Sequence, residues 1–190
     1  MLPTNKQKSH RYSFGMIIFL PLLLYISLPA HAEPAKYGEL EAAYIYNFTK
    51  FTSWPQTHGN RKNRLELCVY GQDDITEKLR SLNGKKAQDK SIHITHSFTE
   101  ESLDRCHALY VSPSQRKRYE YILGILADRP VLTIGNDSRF LDAGGIISLI
   151  QQEDRLRFEI NLDALQKSRI IISSKLLALA IVSNQRRPAW

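Results

Sequence analysis

Pro130-Val-Leu-Thr-Ile-Gly135 is short, almost wholly apolar and follows a segment patterned as a helix. A run of that kind reads as a central strand covered on both faces, the mark of a sheet held between helical layers. Just before it, Ser114 opens a predicted helix through about Ala127 with Tyr119, Ile122, Leu123 and Leu126 on its buried side. Earlier still come the apolar strand Ala108-Leu-Tyr-Val111, a short turn at Thr99-Glu-Glu-Ser102 and an alternating strand over Ser91 to Ser97. Leu65 to Tyr70 alternates like a strand and stops at Gly71, and Asp74 caps a helix that Asn83-Gly84 ends. Tyr37, Leu40, Tyr44, Phe48 and Phe51 recur at three and four residues, which predicts one face of an amphipathic helix ended by Trp54-Pro55.

Downstream of Gly135, a turn around Phe140 leads to Gly144-Gly145-Ile-Ile-Ser-Leu-Ile150. This run faces Arg155-Leu-Arg-Phe-Glu-Ile160 across the polar link Gln151 to Asp154, the pattern of an antiparallel hairpin. Asp163 to Ser168 makes a short helix, and Ser173-Ser174 caps a final one with Leu176, Leu177, Leu179 and Ala180 inward. Strands alternating with helices place the chain in the α/β class. The expected architecture is a single-domain sandwich, a mixed β-sheet flanked by helices with a C-terminal antiparallel hairpin plus helix.

The beginning of the 190-residue chain sets its compartment. Lys6, Lys8 and Arg11 lead into the apolar run Phe14 to Leu28, followed by the small-residue site Ala30-His31-Ala32, the three-part pattern of a secretory signal peptide. The alternative is a membrane anchor, but Pro21 and Pro29 interrupt the stretch and its apolar centre is shorter than the ~20 residues a spanning helix needs. Residues 1–32 are therefore read as a cleaved signal peptide and residues 33–190 as one domain. The segment takes three basic residues and no acid with it, leaving 23 basic against 19 acidic. The remaining clusters, Arg61-Lys62-Asn63-Arg64, Arg116-Lys117-Arg118 and Arg186-Arg187, are dispersed solvated surface rather than the basic face of a nucleic-acid binder.

Two cysteines, Cys68 and Cys106, enter an oxidising compartment, where a pair reads as a disulfide. Each lies in a strand or at its entrance, so the bridge would tie neighbouring strands. No C-x-x-C spacing supports a redox relay; His107 is the one adjacent group able to stabilise a thiolate. The parts of an enzyme are equally sparse. No G-x-S-x-G, H-E-x-x-H or P-loop occurs, and His93 and His96, three apart in a strand, point to opposite faces and form no local metal pair. Neither a cofactor nor a metal is expected. A small-molecule sensor is the alternative class, because the strand-end loops Gly71-Gln-Asp-Asp74 and Gly135-Asn-Asp-Ser138 are where α/β sheets place ligands.

Five ordered segments carry a family resemblance over nearly all of residues 33–190. They are Ala43-Tyr-Ile-Tyr-Asn-Phe-Thr-Lys-Phe-Thr-Ser-Trp-Pro55, Leu67-Cys-Val-Tyr-Gly71, Leu132-Thr-Ile-Gly135 with Gly144-Gly145, Arg157-Phe-Glu-Ile-Asn-Leu162, and Ile172-Ser-Ser-Lys-Leu-Leu177. Together they resemble the YfiR family of periplasmic regulators. The resemblance implies a non-enzymatic repressor in the periplasm that binds the periplasmic portion of a membrane-bound diguanylate cyclase, YfiN. It would thereby lower cyclic di-GMP and with it exopolysaccharide and biofilm output. Relatives carry a second cysteine pair flanking the double glycine; the corresponding positions here are Leu141 and Ser148, so any redox response would rest on one bridge.

Within the hairpin, Leu156, Phe158 and Ile160 alternate with Arg157 and Glu159, which project outward beside Asn161-Leu-Asp163 and the short helix carrying Leu165. A charged pair next to an exposed aliphatic suits a reversible interface, with an ordinary solvated edge as the alternative. The resemblance directs partner contacts to Arg157 through Ile170. The candidate partner-binding residues are Arg157, Glu159, Asn161, Asp163, Leu165 and Ile170. A homodimer is also expected, formed through the first helix, where Tyr46 and Asn47 lie off the main apolar face.

Overall fold

The computed structural model describes residues 34–56, 63–96 and 100–183. The expected signal peptide, the Arg61-Lys62 pair and the Arg186-Arg187 pair lie outside them. In chain order the elements are α1 (Pro34–Lys50), β1 (Thr52–Ser53), β2 (Arg64–Tyr70), α2 (Asp74–Arg80), β3 (Lys86–Ala87), β4 (Lys90–Thr95) and, after a 3₁₀ turn at Glu100–Arg105, β5 (Ala108–Val111). A second 3₁₀ turn, Pro113–Arg118, leads into α3 (Tyr119–Leu126), β6 (Leu132–Gly135), α4 (Arg139–Asp142), β7 (Ile147–Gln152) and β8 (Arg155–Asn161). The chain continues through α5 (Leu162–Ser168), β9 (Ile171–Ile172), α6 (Ser174–Leu177) and β10 (Ile181–Ser183).

Eight strands form one mixed sheet in the order β10-β8-β7-β6-β5-β2-β4-β3, and β1 pairs with β9 in a small antiparallel ribbon. The five strands β7, β6, β5, β2 and β4 are parallel to one another. The hairpin reverses direction at β8, β10 runs parallel to β8, and β3 runs antiparallel to β4. From β2 the chain moves to β4 on one side and later to β5 on the other, so a topological switch point lies between the ends of β2 and β5.

Period-two alternation divides the core into two layers. Leu65, Leu67 and Val69 of β2 join Tyr110, Leu132, Ile134, Leu149 and Phe158 beneath α1 and α2. Cys68, Leu109 and Val111 face the other way, against Tyr119, Ile122, Leu123 and Leu126 of α3 and Phe140 of α4. The fold class is thus as the sequence predicted, including the central strand at β6 and the buried face of α3.

Several local readings are corrected. The buried face of α1 is Ala42, Ile45, Phe48 and Thr49, whereas Leu40 and Phe51 are 44% and 39% exposed. The helix turns small residues inward: a Cβ on Gly38 would stand 3.4 Å from the Lys78 side chain of α2, so close approach replaces bulk. The cap of α2 is Asp73, which accepts from the Thr76 amide, and Ser112 rather than Ser114 opens the turn before α3. The β7–β8 link is only Glu153-Asp154, both at positive φ (49° and 57°), because Gln151 and Gln152 stay in the ladder opposite Leu156 and Arg155. The final helix is one turn; Leu176 is buried but Leu179 is 74% exposed, and Ile181–Ser183 leaves the helix to join the sheet as β10.

Candidate functional site

Along β8, Leu156, Phe158 and Ile160 turn into the core while Arg157 is exposed and Glu159 half-buried on the opposite face. Glu159 lies between Ser148 of β7 and Ile181 of β10 in the ladder, so this part of the hairpin strand is interior to the sheet. The strand ends at Asn161, whose side chain accepts from the Ala164 amide at 3.1 Å to cap α5 and donates to the Leu141 carbonyl at 3.3 Å. Asp163 is exposed in the first turn of α5, where a carboxylate complements the helix dipole. Leu165 is half-buried against the core.

These placements sort the six expected residues. Arg157, Glu159, Asp163 and part of Leu165 reach the surface along β8 and the start of α5. Asn161, 2% exposed, and Ile170, 5% exposed, are buried beneath it. Periodicity marks Asn161 as outward because it follows Glu159 by two; its capping bonds draw it inward. Ile170 follows Arg169, whose left-handed conformation (φ 59°) turns the chain out of α5, so helical spacing no longer applies there.

The strand-end loops are bonded to one another. Ser112 Oγ donates to the Gln72 carbonyl at 3.2 Å, Ser114 Oγ accepts from the Gln72 amide at 3.2 Å, and Tyr110 donates to Asp73 at 2.6 Å. On the β6–α4 side, Asp137 binds Arg116 and accepts from the Arg139 amide at 3.0 Å, and Ser148 Oγ donates to its carbonyl. Into this switch-point region α1 extends Glu41. Burial pushes its carboxyl up to about 7, Asp73 and Asp74 add to the shift, and a hydrogen bond with Asn136 opposes it. Burial, then Asp73, raises the Tyr110 phenol well above its ordinary range. The sequence marks only the two strand-end loops of this cluster, because Glu41, Tyr110 and Ser148 come from elements far apart in the chain and meet the loops only in the fold. Among the described residues no group of three His, Cys, Asp or Glu is placed to hold a metal ion.

Cys68 and Cys106 form a disulfide, with S–S 1.95 Å and Cα–Cα 5.8 Å, which ties β2 to the residue pair that leads into its neighbour β5. His107 is occupied elsewhere: Nδ1 accepts from the Glu66 amide at 3.1 Å and its ring packs edge-on to Trp54. On α1, Tyr46 donates to the Lys86 carbonyl at 2.7 Å and its ring lies below Lys50 and Lys85, so it is tied to β3; Asn47 is exposed.

A family model described as YfiR/HmsC-like matches residues 38–181. Among solved structures, the chain is similar to a conserved domain protein from Vibrio cholerae O1 biovar eltor at 11% identity and TM-score 0.50, over 77% of this chain and 60% of that one. It is similar in the same way to an ABC domain from Streptococcus pneumoniae solved in complex with L-Trp, at 9% identity and TM-score 0.50, over 76% of this chain and 59% of the other. At these identities the likeness shows the fold alone. The chain spans about 60% of the length of each of these structures.

Proposed function

Because the chain belongs to the YfiR/HmsC-like family, a family of periplasmic regulators of cyclic di-GMP signalling, we propose that it represses a membrane-bound diguanylate cyclase by binding the cyclase's periplasmic portion. The contact surface is the outward face of β8 with the first turns of α5: Arg157, Glu159, Asp163 and Leu165, positioned from beneath by Asn161 and Ile170. The observation that supports this surface is the burial pattern of β8. One face is fully used in the core, while the other presents a basic and an acidic side chain beside a half-buried aliphatic, a mixture suited to a partner that must also be released. Among the described residues no helix is long and apolar enough to cross a membrane.

The test is a deletion of the gene complemented by wild type, Glu159→Lys or Leu165→Asp, with cyclic di-GMP measured in each strain. Wild type is expected to lower cyclic di-GMP only when the cyclase is present. Glu159→Lys should lose that effect without a change in thermal melt. Leu165→Asp should lose it too, with a lower melt because that side chain packs partly on the core. Wild-type repression by a folded Glu159→Lys protein would remove this face from the interface. Unchanged cyclic di-GMP on deletion would remove the repressor reading altogether.

A further inference from the structure

β10 pairs with β8 only from Glu159 to Asn161, so between Arg155 and Phe158 the strand has β7 on one side and, among the described residues, no strand on the other. A groove of about 520 Å³ opens along this free stretch, between the C-terminal half of α1, β8 and α6 with the turn after it. Its floor is core: the rings of Phe48 and Phe158 lie 5.0 Å apart, with Leu176 beside them. Its walls are Phe51 and Leu179, both exposed. A lone exposed Leu needs no explanation. Two large apolar side chains flanking a concave apolar floor do.

Among the described residues, the charged ones that line the groove are Arg155 and Arg157, with no acid beside them. Both are exposed, and among the described residues neither makes an ion pair or a side-chain hydrogen bond. The Tyr44 hydroxyl already donates to the Leu156 carbonyl at 3.0 Å, which occupies one backbone acceptor of this short edge and favours the entry of side chains over an added strand. The apolar floor of Phe48, Phe158 and Leu176 is recessed between its walls, which suits an inserted side chain better than a lipid surface.

We infer that this groove docks an acidic segment of the partner protein through one aromatic or aliphatic anchor, which enters between Phe51 and Leu179 while neighbouring carboxylates meet Arg155 and Arg157. The inference rests on the partner-binding reading and supplies the chemistry of the bound segment. It extends the contact surface around the hairpin from the Glu159 face to the free edge, with Arg157 shared by both.

The probe is an acetylated, amidated peptide, Asp-Asp-Phe-Glu-Leu-Asp, compared with a counterpart carrying Lys at every acidic position. Both are titrated into the isotope-labelled protein with affinity read by amide NMR shifts. The acidic peptide is expected to bind and to move Phe51, Arg157 and Leu179, while the lysine peptide does not bind. The double variant R155E/R157E should weaken binding by about tenfold or more, as loss of paired charges at an interface does, and Leu179→Asp should weaken it comparably. Both variants should melt like wild type, because the altered side chains are exposed. Absence of binding, equal binding of the two peptides, unchanged affinity in the variants, or binding only to phosphatidylglycerol vesicles would each overturn the inference. The regulatory reading fails on a different observation, a wild-type gene that leaves cyclic di-GMP unchanged. Wild-type repression by a folded Leu179→Asp protein, whose altered residue lies outside the Glu159 face, would sink the groove alone.

Discussion

Glu41 stands half-buried on α1, where its carboxyl meets Asn136 from the β6–α4 link and feels the carboxylates of Asp73 and Asp74 at the start of α2. Burial is the largest cause of its raised affinity for a proton, which moves from 4.5 to about 7 on folding. The folded state therefore binds this proton more tightly than the unfolded chain. The resulting stability is fully present below pH 4.5 and is lost as the pH rises through about 7. Water still reaches the group, so the effect is smaller than the full linkage value. Urea unfolding of wild type and Glu41→Gln at pH 5 and pH 8 isolates it: the two proteins should differ little at pH 5, and the variant should be the more stable at pH 8. An identical pH dependence in the two proteins would show that Glu41 is not protonated in this environment. Nothing in the flanking sequence, Leu40 and Ala42, announces such a residue. Its partners come from loops distant in the chain, and only the closure of α1 over the sheet brings them together.

Gly135 ends β6 and Gly145 precedes β7, and the Phe140 ring fills the space that side chains would need at both. A Cβ on Gly135 would stand 2.4 Å from Phe140 Cγ, and one on Gly145 would stand 2.3 Å from the same ring. Phe140 itself is fully buried and packs edge-on to Tyr119 of α3 at 5.1 Å, so it cannot swing aside without opening the second core layer. Gly135→Ala and Gly145→Ala should each cost about 1 to 3 kcal/mol, the range for overpacking a filled core. Chemical denaturation measures this directly, and a loss of only a few tenths would mean that α4 relocates freely. These two glycines were visible in the sequence as parts of a motif, but their purpose was not, since it depends on a ring placed by an intervening helix. The same limit governs the other elements. The strands β2, β7 and β8 and the helix α3 were legible because their apolar period is sustained, and β5 and β6 because they are short, continuously apolar runs. The strands β1, β3, β9 and β10 are two or three residues long, too short to show a period, and exist only because a neighbour offers hydrogen bonds. The outward alternation of Arg157 and Glu159 was equally readable; the groove beside them was not, because Leu179 follows an apolar pattern that the chain abandons after one turn of α6.

Across the sheet, the disulfide and the proposed partner surface occupy different regions. Cys68 lies on β2 and the proposed contact residues Arg157 and Glu159 on β8, with β5, β6 and β7 between them, a separation of about 19 Å at ~4.8 Å per strand. The bridge closes a loop with a sequence separation of 38, for which the chain-entropy relation gives about 4 kcal/mol of stabilisation. That effect belongs to the unfolded chain, and β2 and β5 remain paired through their backbone ladder without it. Replacing both cysteines by serine should therefore lower the melting temperature by roughly 10 °C for a domain of this size while leaving the outward face of β8 in place. On the repressor role proposed above, the variant should still lower cyclic di-GMP in cells grown well below the new melting point. The positions corresponding to a second pair, Leu141 and Ser148, are buried, and Ser148 is hydrogen-bonded to the Asp137 carbonyl, so no other thiol can take over. Loss of repression with an unchanged melt would show that the bridge communicates with β8 through the intervening strands. Loss of both together, restored by cooling, would show that it acts through global stability alone.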